Sequence, residues 1–256
     1  TGVESSLTAR FNTINVSSVS SSLYGINNAF TGDLVLENNI VSLSNTATNT
    51  GTYGVLYNSS ASAATNPISI SNNEFQASSL VASSGSVYLI YNNNSSSVVA
   101  NISNNFTSGL ISRTATSGTT YGYYNNGSPT GIENVNGNNF SNITITGTSS
   151  AFIGVNSTTA AAHTQNIFNN IISNISNTGT GASHGVNLTT ANTRSVYNNQ
   201  VFSLSRAGTT TGITVGSGSN PADVYGNKLY DISSTATGTT APYVSGIAIT
   251  RGTDVK

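Results

Sequence analysis

The amino-acid sequence predicts an all-β protein that folds as a parallel β-helix, a solenoid in which similar coils stack on one another. Three observations lead to this prediction. A pair of asparagines recurs along the chain, a second signature centred on glycine recurs between those pairs, and apolar residues alternate with polar ones over short segments. Together they indicate about eight coils, each with about 30 residues and three short strands.

The asparagine pairs close short aliphatic segments such as VLENN, ISISNN and NISNN. An aliphatic residue stands three positions before the second asparagine in six of seven copies, and Asn136 is the exception. Asparagine tolerates the left-handed backbone of a tight corner, and identical amides stacked one strand apart can hydrogen-bond to each other. Separate surface turns are the alternative, but turns alone do not require the fixed offset. We therefore predict an asparagine ladder along one corner, formed by Asn39, Asn73, Asn105, Asn139, Asn170, Asn199 and Asn227.

The second signature is a residue that is often aromatic, then glycine, then an aliphatic or aromatic residue. Its copies are Tyr24-Gly25-Ile26, Tyr53-Gly54-Val55, Tyr121-Gly122-Tyr123, Ile153-Gly154-Val155, His184-Gly185-Val186, Thr211-Gly212-Ile213 and Ser245-Gly246-Ile247. An eighth copy, Tyr88-Leu89-Ile90, has leucine in place of the glycine. Eight copies imply about eight coils. His184 takes the position of Tyr24, Tyr53 and Tyr121, which favours a place in a partly buried aromatic stack.

Apolar residues alternate within each period, as in Tyr53, Val55 and Tyr57 or in Ile213 and Val215. A spacing of two is typical of a β-strand with one buried face. Strong helix formers never cluster at helical spacing, whereas β-branched residues, Asn and Gly dominate. A single coil cannot bury its apolar face alone, so the pattern favours stacked coils around one continuous core.

Composition limits the classes of function. The 256 residues include seven Lys and Arg and eight Asp and Glu, with a formal net charge of −1 and no cysteine. The basic residues are scattered, so we expect isolated solvated charges and no nucleic-acid partner. No apolar segment approaches the roughly 20 residues that span a bilayer, and disulfides are excluded.

The repeats extend over nearly the whole chain, so we expect one parallel β-helix domain over residues 1–256. Natural β-helices are usually capped at both ends, because bare strand edges invite aggregation. No cap is visible in the sequence, and TGVESSL and VSGIAITRGTDVK both resemble repeat material. We therefore expect the chain to be an excerpt of a longer repetitive protein.

Residues that could carry catalysis share no rank in the repeat. The acidic residues are Glu4, Asp33, Glu37, Glu74, Glu133, Asp223, Asp231 and Asp254. Only Asp223, Lys228 and Asp231 fall together, and a solvated surface trio is the expected arrangement. The two histidines, His163 and His184, lie in neighbouring repeats at different ranks, and neither has a second histidine at metal-site spacing. We therefore expect no catalytic residue, no metal and no cofactor.

Several segments resemble a known family of repeats. NNFSNI at 138–143, VYNN at 196–199, VYGNKLYDISSTATGTT at 224–240 and SGIAIT at 245–250 are similar to β-helix repeats in large surface proteins of Bacteroidetes, which are often exported by type IX secretion. The resemblance implies a right-handed solenoid in an extracellular or cell-surface protein with an adhesive or architectural role. For such a solenoid we expect other domains or copies of the same protein as partners, with surface glycans as a further option.

The favoured function is therefore a non-enzymatic structural or adhesive solenoid. The alternative is a β-helix that binds or degrades a carbohydrate in a groove lined by Tyr123 and Tyr124, which requires both side chains to point outward. A second alternative is an ice-binding solenoid, which requires threonines at equal rank in successive coils on a flat face.

Overall fold

A computed structural model of the chain describes residues 6–19, 22–29, 32–46, 50–62, 64–81, 84–95, 98–127, 130–157, 163–189, 193–216, 222–235 and 243–250. Within these ranges the chain forms 26 β-strands, and all strand pairings are parallel. The described segments contain no helix that is long and apolar enough to cross a membrane. The predicted all-β fold with stacked coils is confirmed.

Sheet A contains eight strands, each paired with its equivalent in the next coil. The strands are β1 (Ser6–Arg10), β4 (Asp33–Glu37), β7 (Ile68–Ser71), β11 (Ala100–Ser103), β15 (Ile132–Asn136), β18 (Thr164–Phe168), β21 (Thr193–Tyr197) and β24 (Ala222–Tyr225). Its inward column of Leu36, Ile70, Ile102 and their successors is at most 1 % exposed up to Val196.

Sheet B follows sheet A within each coil. Its strands are β2 (Thr13–Ser18), β5 (Ile40–Asn45), β8 (Glu74–Phe75), β9 (Ser78–Val81), β12 (Phe106–Thr107), β13 (Ile111–Thr114), β16 (Asn139–Thr146), β19 (Ile171–Asn177), β22 (Gln200–Arg206) and β25 (Lys228–Ser234). Two coils contribute a pair of short strands instead of one long strand. In later coils the strand is continuous, and a residue with left-handed backbone, such as Asn142 or Asn174, interrupts the regular pairing at the same position of successive strands.

Sheet C completes each coil and has eight strands. They are β3 (Leu23–Asn28), β6 (Tyr53–Asn58), β10 (Val87–Asn92), β14 (Thr119–Asn125), β17 (Ala151–Ser157), β20 (Ser183–Leu188), β23 (Thr210–Val215) and β26 (Val244–Ile249). With about 4.8 Å between paired strands, the eight levels extend over roughly 35 to 40 Å. Three sheets therefore enclose one apolar core that is continuous from coil to coil.

The corner between sheets A and B is built around an asparagine ladder. A residue with φ between 54° and 65° makes each turn, and in most coils this is the first asparagine of the pair, such as Asn72 or Asn104. The following asparagine then points into the core. Asn73 shows the repeated geometry: its Nδ2 donates to Asn105 Oδ1 at 2.8 Å and to the Leu36 carbonyl at 2.9 Å. The amides thus satisfy one another where water is excluded.

The prediction for Asn139 is wrong, because the ladder contains Asn138 instead. Asn105 Nδ2 donates to Asn138 Oδ1 at 2.9 Å, and Asn138 Nδ2 donates to Asn170 Oδ1 at 2.9 Å. Gly137 takes the left-handed turn position with φ 65°, so the next residue, Asn138, enters the core. Asn139 is already the first residue of β16.

The ladder has one more member than the asparagine pairs suggested. Asn12 Nδ2 donates to Asn39 Oδ1 at 2.8 Å, although Phe11 and not an asparagine makes the preceding turn with φ 56°. The described ladder therefore has eight members, which are Asn12, Asn39, Asn73, Asn105, Asn138, Asn170, Asn199 and Asn227.

Candidate functional site

The buried polar network around Glu133 brings a carboxylate, an imidazole and a phenol together in the core. Glu133 lies in β15 and is 0 % exposed. Its Oε1 accepts hydrogen bonds from the Tyr123 hydroxyl at 2.7 Å and from Asn125 Nδ2 at 3.0 Å. Its Oε2 accepts from the Ser157 hydroxyl at 2.8 Å, Gln165 Nε2 at 3.2 Å and His163 Nε2 at 3.3 Å.

The network holds a buried negative charge. Burial alone would raise the pKa of Glu133, but hydrogen bonding and charge from His163, with hydrogen bonds from Tyr123 and Ser157, lower it. Burial and the adjacent carboxylate raise the pKa of Tyr123 well above its usual value. Glu133 is therefore ionised and Tyr123 protonated near neutral pH. Both carboxylate oxygens are occupied by donors of the protein itself, so the arrangement stabilises the core.

A second asparagine ladder, missed by the sequence analysis, runs into this network. Asn28 Nδ2 donates to Asn58 Oδ1 at 2.8 Å, and Asn58 Nδ2 donates to Asn92 Oδ1 at 2.8 Å. Asn125 holds the same register position in the next coil, and its amide donates to Glu133. The coil after that has Ser157 at this rank, which also donates to Glu133. Glu133 therefore accepts hydrogen bonds from Asn125 and Ser157, the last two polar side chains of this column.

The two histidines do not meet. His163 is 2 % exposed and contacts Glu133, whereas His184 lies in β20 with its Nδ1 2.9 Å from the Thr214 hydroxyl. Burial and the charge of Arg206 lower the pKa of His184 to about 4, so this side chain is neutral near pH 7. His184 pairs with Ile153 in the neighbouring strand, in line with the tyrosines of earlier coils.

Three arginines contradict the expectation of isolated solvated charges. Arg113, Arg194 and Arg206 are each at most 1 % exposed. Arg113 donates to the Thr120 hydroxyl, and Arg206 and Arg194 each donate to a backbone carbonyl at 2.6 Å. Burial lowers the pKa of Arg113 and of Arg206 to about 10, which leaves both charged at neutral pH. Through these bonds each guanidinium group connects its own strand to a residue outside that strand.

Two other described carboxylates, Glu37 and Asp33, have partners of their own. Glu37 pairs with Arg10 at 2.9 Å, and Asp33 accepts the backbone N–H groups of Thr65 and Asn66 at 2.7 and 3.0 Å. Those hydrogen bonds lower the pKa of Asp33 to about 2. Among the residues that the structure describes, no three His, Cys, Asp or Glu side chains converge as a metal site. Glu4 and Asp254 lie outside the described residues.

The two tyrosines predicted to line a glycan groove point to opposite sides of the sheet. Tyr123 is 0 % exposed and bonded to Glu133, so the prediction of a glycan contact is wrong for this residue. Tyr124 is half-buried and faces outward, with its hydroxyl donating to Asn126 Oδ1 at 3.0 Å. Consecutive residues of a strand face opposite sides, which is why only one of the pair can be accessible.

Tyr124 belongs to a cluster of partly exposed rings on the outer face of sheet C, which we call the tyrosine strip. Its members come from four successive strands, β3, β6, β10 and β14, and are Tyr24, Tyr57, Tyr88, Tyr91, Tyr121 and Tyr124. Every ring in the strip contacts another. Tyr88 and Tyr121 stack with centroids 5.0 Å apart, and Tyr57 and Tyr91 with centroids 4.4 Å apart.

Gly54 keeps the strip continuous. Strand β6 pairs with its neighbour so that Gly54, and not Tyr53, lies beside Tyr24 and Tyr88. The sequence prediction that Tyr53 is equivalent to Tyr24 is therefore wrong by one residue, and Tyr53 is buried with its hydroxyl on the Val81 carbonyl. A Cβ on Gly54 would lie 2.5 Å from Tyr57 Cδ2. The missing side chain leaves room for the Tyr57 ring, which contacts Tyr24 at 4.8 Å.

The face that carries the strip has an unusual charge composition. The eight strands of sheet C contain no Asp, Glu, Lys or Arg, and their single histidine, His184, is neutral near pH 7. Sheets A and B, in contrast, include Arg10, Glu37, Lys228 and Asp231. The strip is therefore an aromatic and hydroxyl-bearing surface within an uncharged sheet.

Alkaline titration tests the packing of the strip. Burial, reinforced by neighbouring phenols, raises the pKa of Tyr57 and of Tyr88 to about 12. We expect the tyrosinate absorbance of the folded protein to appear at higher pH than in the denatured protein, whose tyrosines ionise near pH 10. Because the folded pKa is the higher one, this stabilisation is complete below about pH 10 and is lost as pH rises towards about 12. Coinciding native and denatured curves would contradict the packing.

A hydroxyl column on sheet B bears on the ice-binding hypothesis. Paired outward positions are occupied by Ser17, Ser44, Ser79, Ser112, Thr144, Ser176, Ser205 and Ser233. An ice-binding face would require threonines at equal rank in successive coils, and this column has one threonine. In the adjacent outward column, Thr114 and Thr146 pair and their hydroxyls bond at 3.2 Å. Sheet B is therefore mainly a serine surface.

The fold defines the chain as a β-solenoid protein of the parallel β-helix class, with asparagine ladders inside and an aromatic strip outside. Comparisons with protein-family models, curated proteins and solved structures found no match to the chain. The function is therefore inferred from the fold and from the chemistry of its surface.

Proposed function

We propose that the chain is a non-enzymatic structural and adhesive solenoid of an extracellular or cell-surface protein. The proposal rests on where the structure places the side chains that are able to perform acid and base catalysis. Glu133 and His163 are enclosed and bonded to each other, and His184 is partly buried and bonded to Thr214. Hydrolysis of a glycosidic bond needs two carboxyl groups facing a substrate. Of the described acidic residues, Glu133 is enclosed, Glu37 pairs with Arg10, and Asp33 accepts hydrogen bonds from Thr65 and Asn66.

The architecture supports a scaffold role. Each coil is joined to the next by three parallel strand pairings, by buried amide ladders and by a continuous core. A repeat of this kind forms an elongated body whose outer faces can be varied while the interior stays constant. Resemblance to Bacteroidetes repeats supports a surface location and type IX export. Antibody labelling of intact, unpermeabilised source cells tests that location, and purely intracellular signal would contradict it.

Incubation with polysaccharides tests the non-enzymatic part of the proposal. We expect no new reducing ends and no shortened products when the purified chain is incubated with neutral and acidic polysaccharides, compared with heat-denatured protein. Reproducible turnover would contradict the scaffold function and favour the polysaccharide-degrading alternative. The Glu133→Gln variant is the control for chemistry at the buried network: turnover that it abolished while its circular dichroism spectrum stayed native would assign catalysis to that network.

A further inference from the structure

We propose that the tyrosine strip is a binding surface for an uncharged glycan. The inference rests on the proposed adhesive function and names its ligand class. It follows from three observations: six partly exposed tyrosine rings form one contiguous patch, the strands that carry them contain no charged residue, and amide side chains border the patch.

The rings are held in place before any ligand arrives. Tyr88 contacts Tyr57, Tyr91, Tyr121 and Tyr124, with centroid distances between 4.9 and 6.0 Å. Each ring is attached to a strand that is paired on both sides or packed beside one that is, so little side-chain freedom remains to be lost on binding. Rigid aromatic side chains provide contact area at low entropic cost. Across four strands about 4.8 Å apart, the strip is roughly 15 Å long, which suits an extended oligomer.

Polar groups at the border match the chemistry of sugar hydroxyls. Tyr124 donates its hydroxyl to Asn126, and Asn126 Nδ2 donates to Asn93 Oδ1 at 2.9 Å. Both asparagines belong to the turns that follow β14 and β10. Further along the same face, Asn187 Nδ2 donates to Asn156 Oδ1 at 2.8 Å. Phenols and amides both donate and accept hydrogen bonds, as sugar hydroxyls do, and the apolar C–H face of a pyranose ring fits against aromatic carbon.

Charge distinguishes this ligand from the other polymers that an extracellular protein meets. Anionic polysaccharides and nucleic acids are bound through Lys and Arg, and basic peptides through Asp and Glu. The strands of sheet C contain none of these four residue types. The phenols of Tyr57 and Tyr88 also stay neutral, because burial raises the pKa of each to about 12. A neutral, hydroxyl-rich polymer is the ligand that this face complements.

The molecule contains a matched control surface. Phe168, Tyr197 and Tyr225 stack on the outer face of sheet A, with centroids 4.9 and 5.0 Å apart. This column has a comparable ring spacing but is one ring wide, and its strands include charged residues such as Asp223. Removal of Tyr197 therefore deletes a stacked outer ring without touching the strip.

Affinity electrophoresis tests the proposal. The chain is run through gels that contain hydroxyethylcellulose, mixed-linkage β-glucan, xylan or galactomannan, and through gels with alginate or dextran sulfate. We expect retardation by at least one neutral polymer and none by the anionic ones. The double variant Tyr88→Ala with Tyr121→Ala should weaken that binding by about tenfold or more, while the double Phe variant, which keeps both ring faces, should stay within about threefold. Tyr197→Ala should bind like the unaltered chain.

Several results would overturn the glycan surface: no retardation in any neutral gel, retardation only by anionic polymers, or equal weakening by Tyr197→Ala. A measurement on the unaltered chain avoids dependence on variant folding. Nitration of the strip tyrosines, mapped by mass spectrometry, should decrease when the retarding polymer is present, and unchanged nitration would count against the site. Product analysis separates the two proposals, since lack of binding without cleavage leaves the scaffold function intact, whereas cleavage contradicts it whether or not the strip binds.

Discussion

Replacement of Glu133 by alanine should destabilise the protein more than any surface substitution. The change removes the acceptor for five donors, among them the buried side chains of Tyr123, Ser157 and His163. Breaking a buried charged pair on one side costs about 3 to 5 kcal/mol, because the partners stay desolvated. We expect a loss of that size in the free energy of unfolding, measured by urea denaturation followed by circular dichroism.

Two further variants show whether the hydrogen bonds or the volume matter. Glu133→Gln keeps the shape but turns one acceptor atom into a donor that faces other donors, so it should also be clearly destabilised. Glu37→Ala is the matched control, since it removes a partly exposed carboxylate that pairs with Arg10, and should cost less than about 1 kcal/mol. Similar stability of the Glu133 and Glu37 variants would contradict the structural role of the network.

The decrease in the free energy of unfolding at acid pH should also depend on Glu133. Its pKa is lower in the folded chain than its usual value, so its contribution is present above the unfolded pKa and is lost as pH falls through the folded one. The unaltered chain should therefore lose stability below about pH 4 more steeply than Glu133→Gln does. Asp33, with a pKa of about 2, adds to the acid sensitivity of both proteins equally.

The sequence predicted the coils because their rules are local. A turn residue that tolerates positive φ, followed by an amide three positions after an inward aliphatic residue, is readable from the chain alone. The same rule shows where the prediction failed. In NVNGNN the residue three positions before Asn139 is Asn136, which is polar, whereas the one before Asn138 is Val135, which is 0 % exposed and pairs with Ile102. Giving the aliphatic offset priority over the asparagine pair would have identified Asn138.

The features that the sequence missed depend on contacts between coils. Tyr53-Gly54-Val55 looks like Tyr24-Gly25-Ile26, but the paired strands are shifted by one residue, and a shift of one exchanges the two faces. Arg113 and Arg206 share one column of sheet B, but Ile145 and Asn177 occupy that column in the coils between them. Glu133 shares its column of sheet A with Gln165 and Arg194, so the residue type changes from coil to coil. Their partners lie in a neighbouring strand, as Tyr123 does for Glu133 and Thr120 for Arg113, or about one coil away, as Gln165 does for Glu133. A repeat is recognised by the residues that successive coils share. Interactions made in only one or two coils are therefore missed, and their residues are assigned to the surface.

Asn138 and Asn139 provide a test of the ladder in which two neighbouring asparagines differ only in where they point. Asn138 is 0 % exposed, and its Oδ1 accepts from both the backbone N–H and the side-chain amide of Asn105 at 3.0 and 2.9 Å. In Asn138→Ala these donors and the Ile102 carbonyl lose their partner, so we expect a loss of about 2 to 4 kcal/mol in the free energy of unfolding.

Asn139→Ala deletes the same amide from the next position and should cost less than about 1 kcal/mol, because its side chain is half-buried at the start of β16 and outside the ladder. Asn138→Asp separates hydrogen bonding from volume. It keeps the size of the side chain but replaces the N–H donors by an oxygen that faces Asn170 Oδ1 and the Ile102 carbonyl, so it should be at least as damaging as alanine. A larger loss of stability in Asn139→Ala than in Asn138→Ala would contradict this structure. It would place Asn139 in the ladder, as the sequence pattern indicated, and the register of this coil would have to be shifted by one residue.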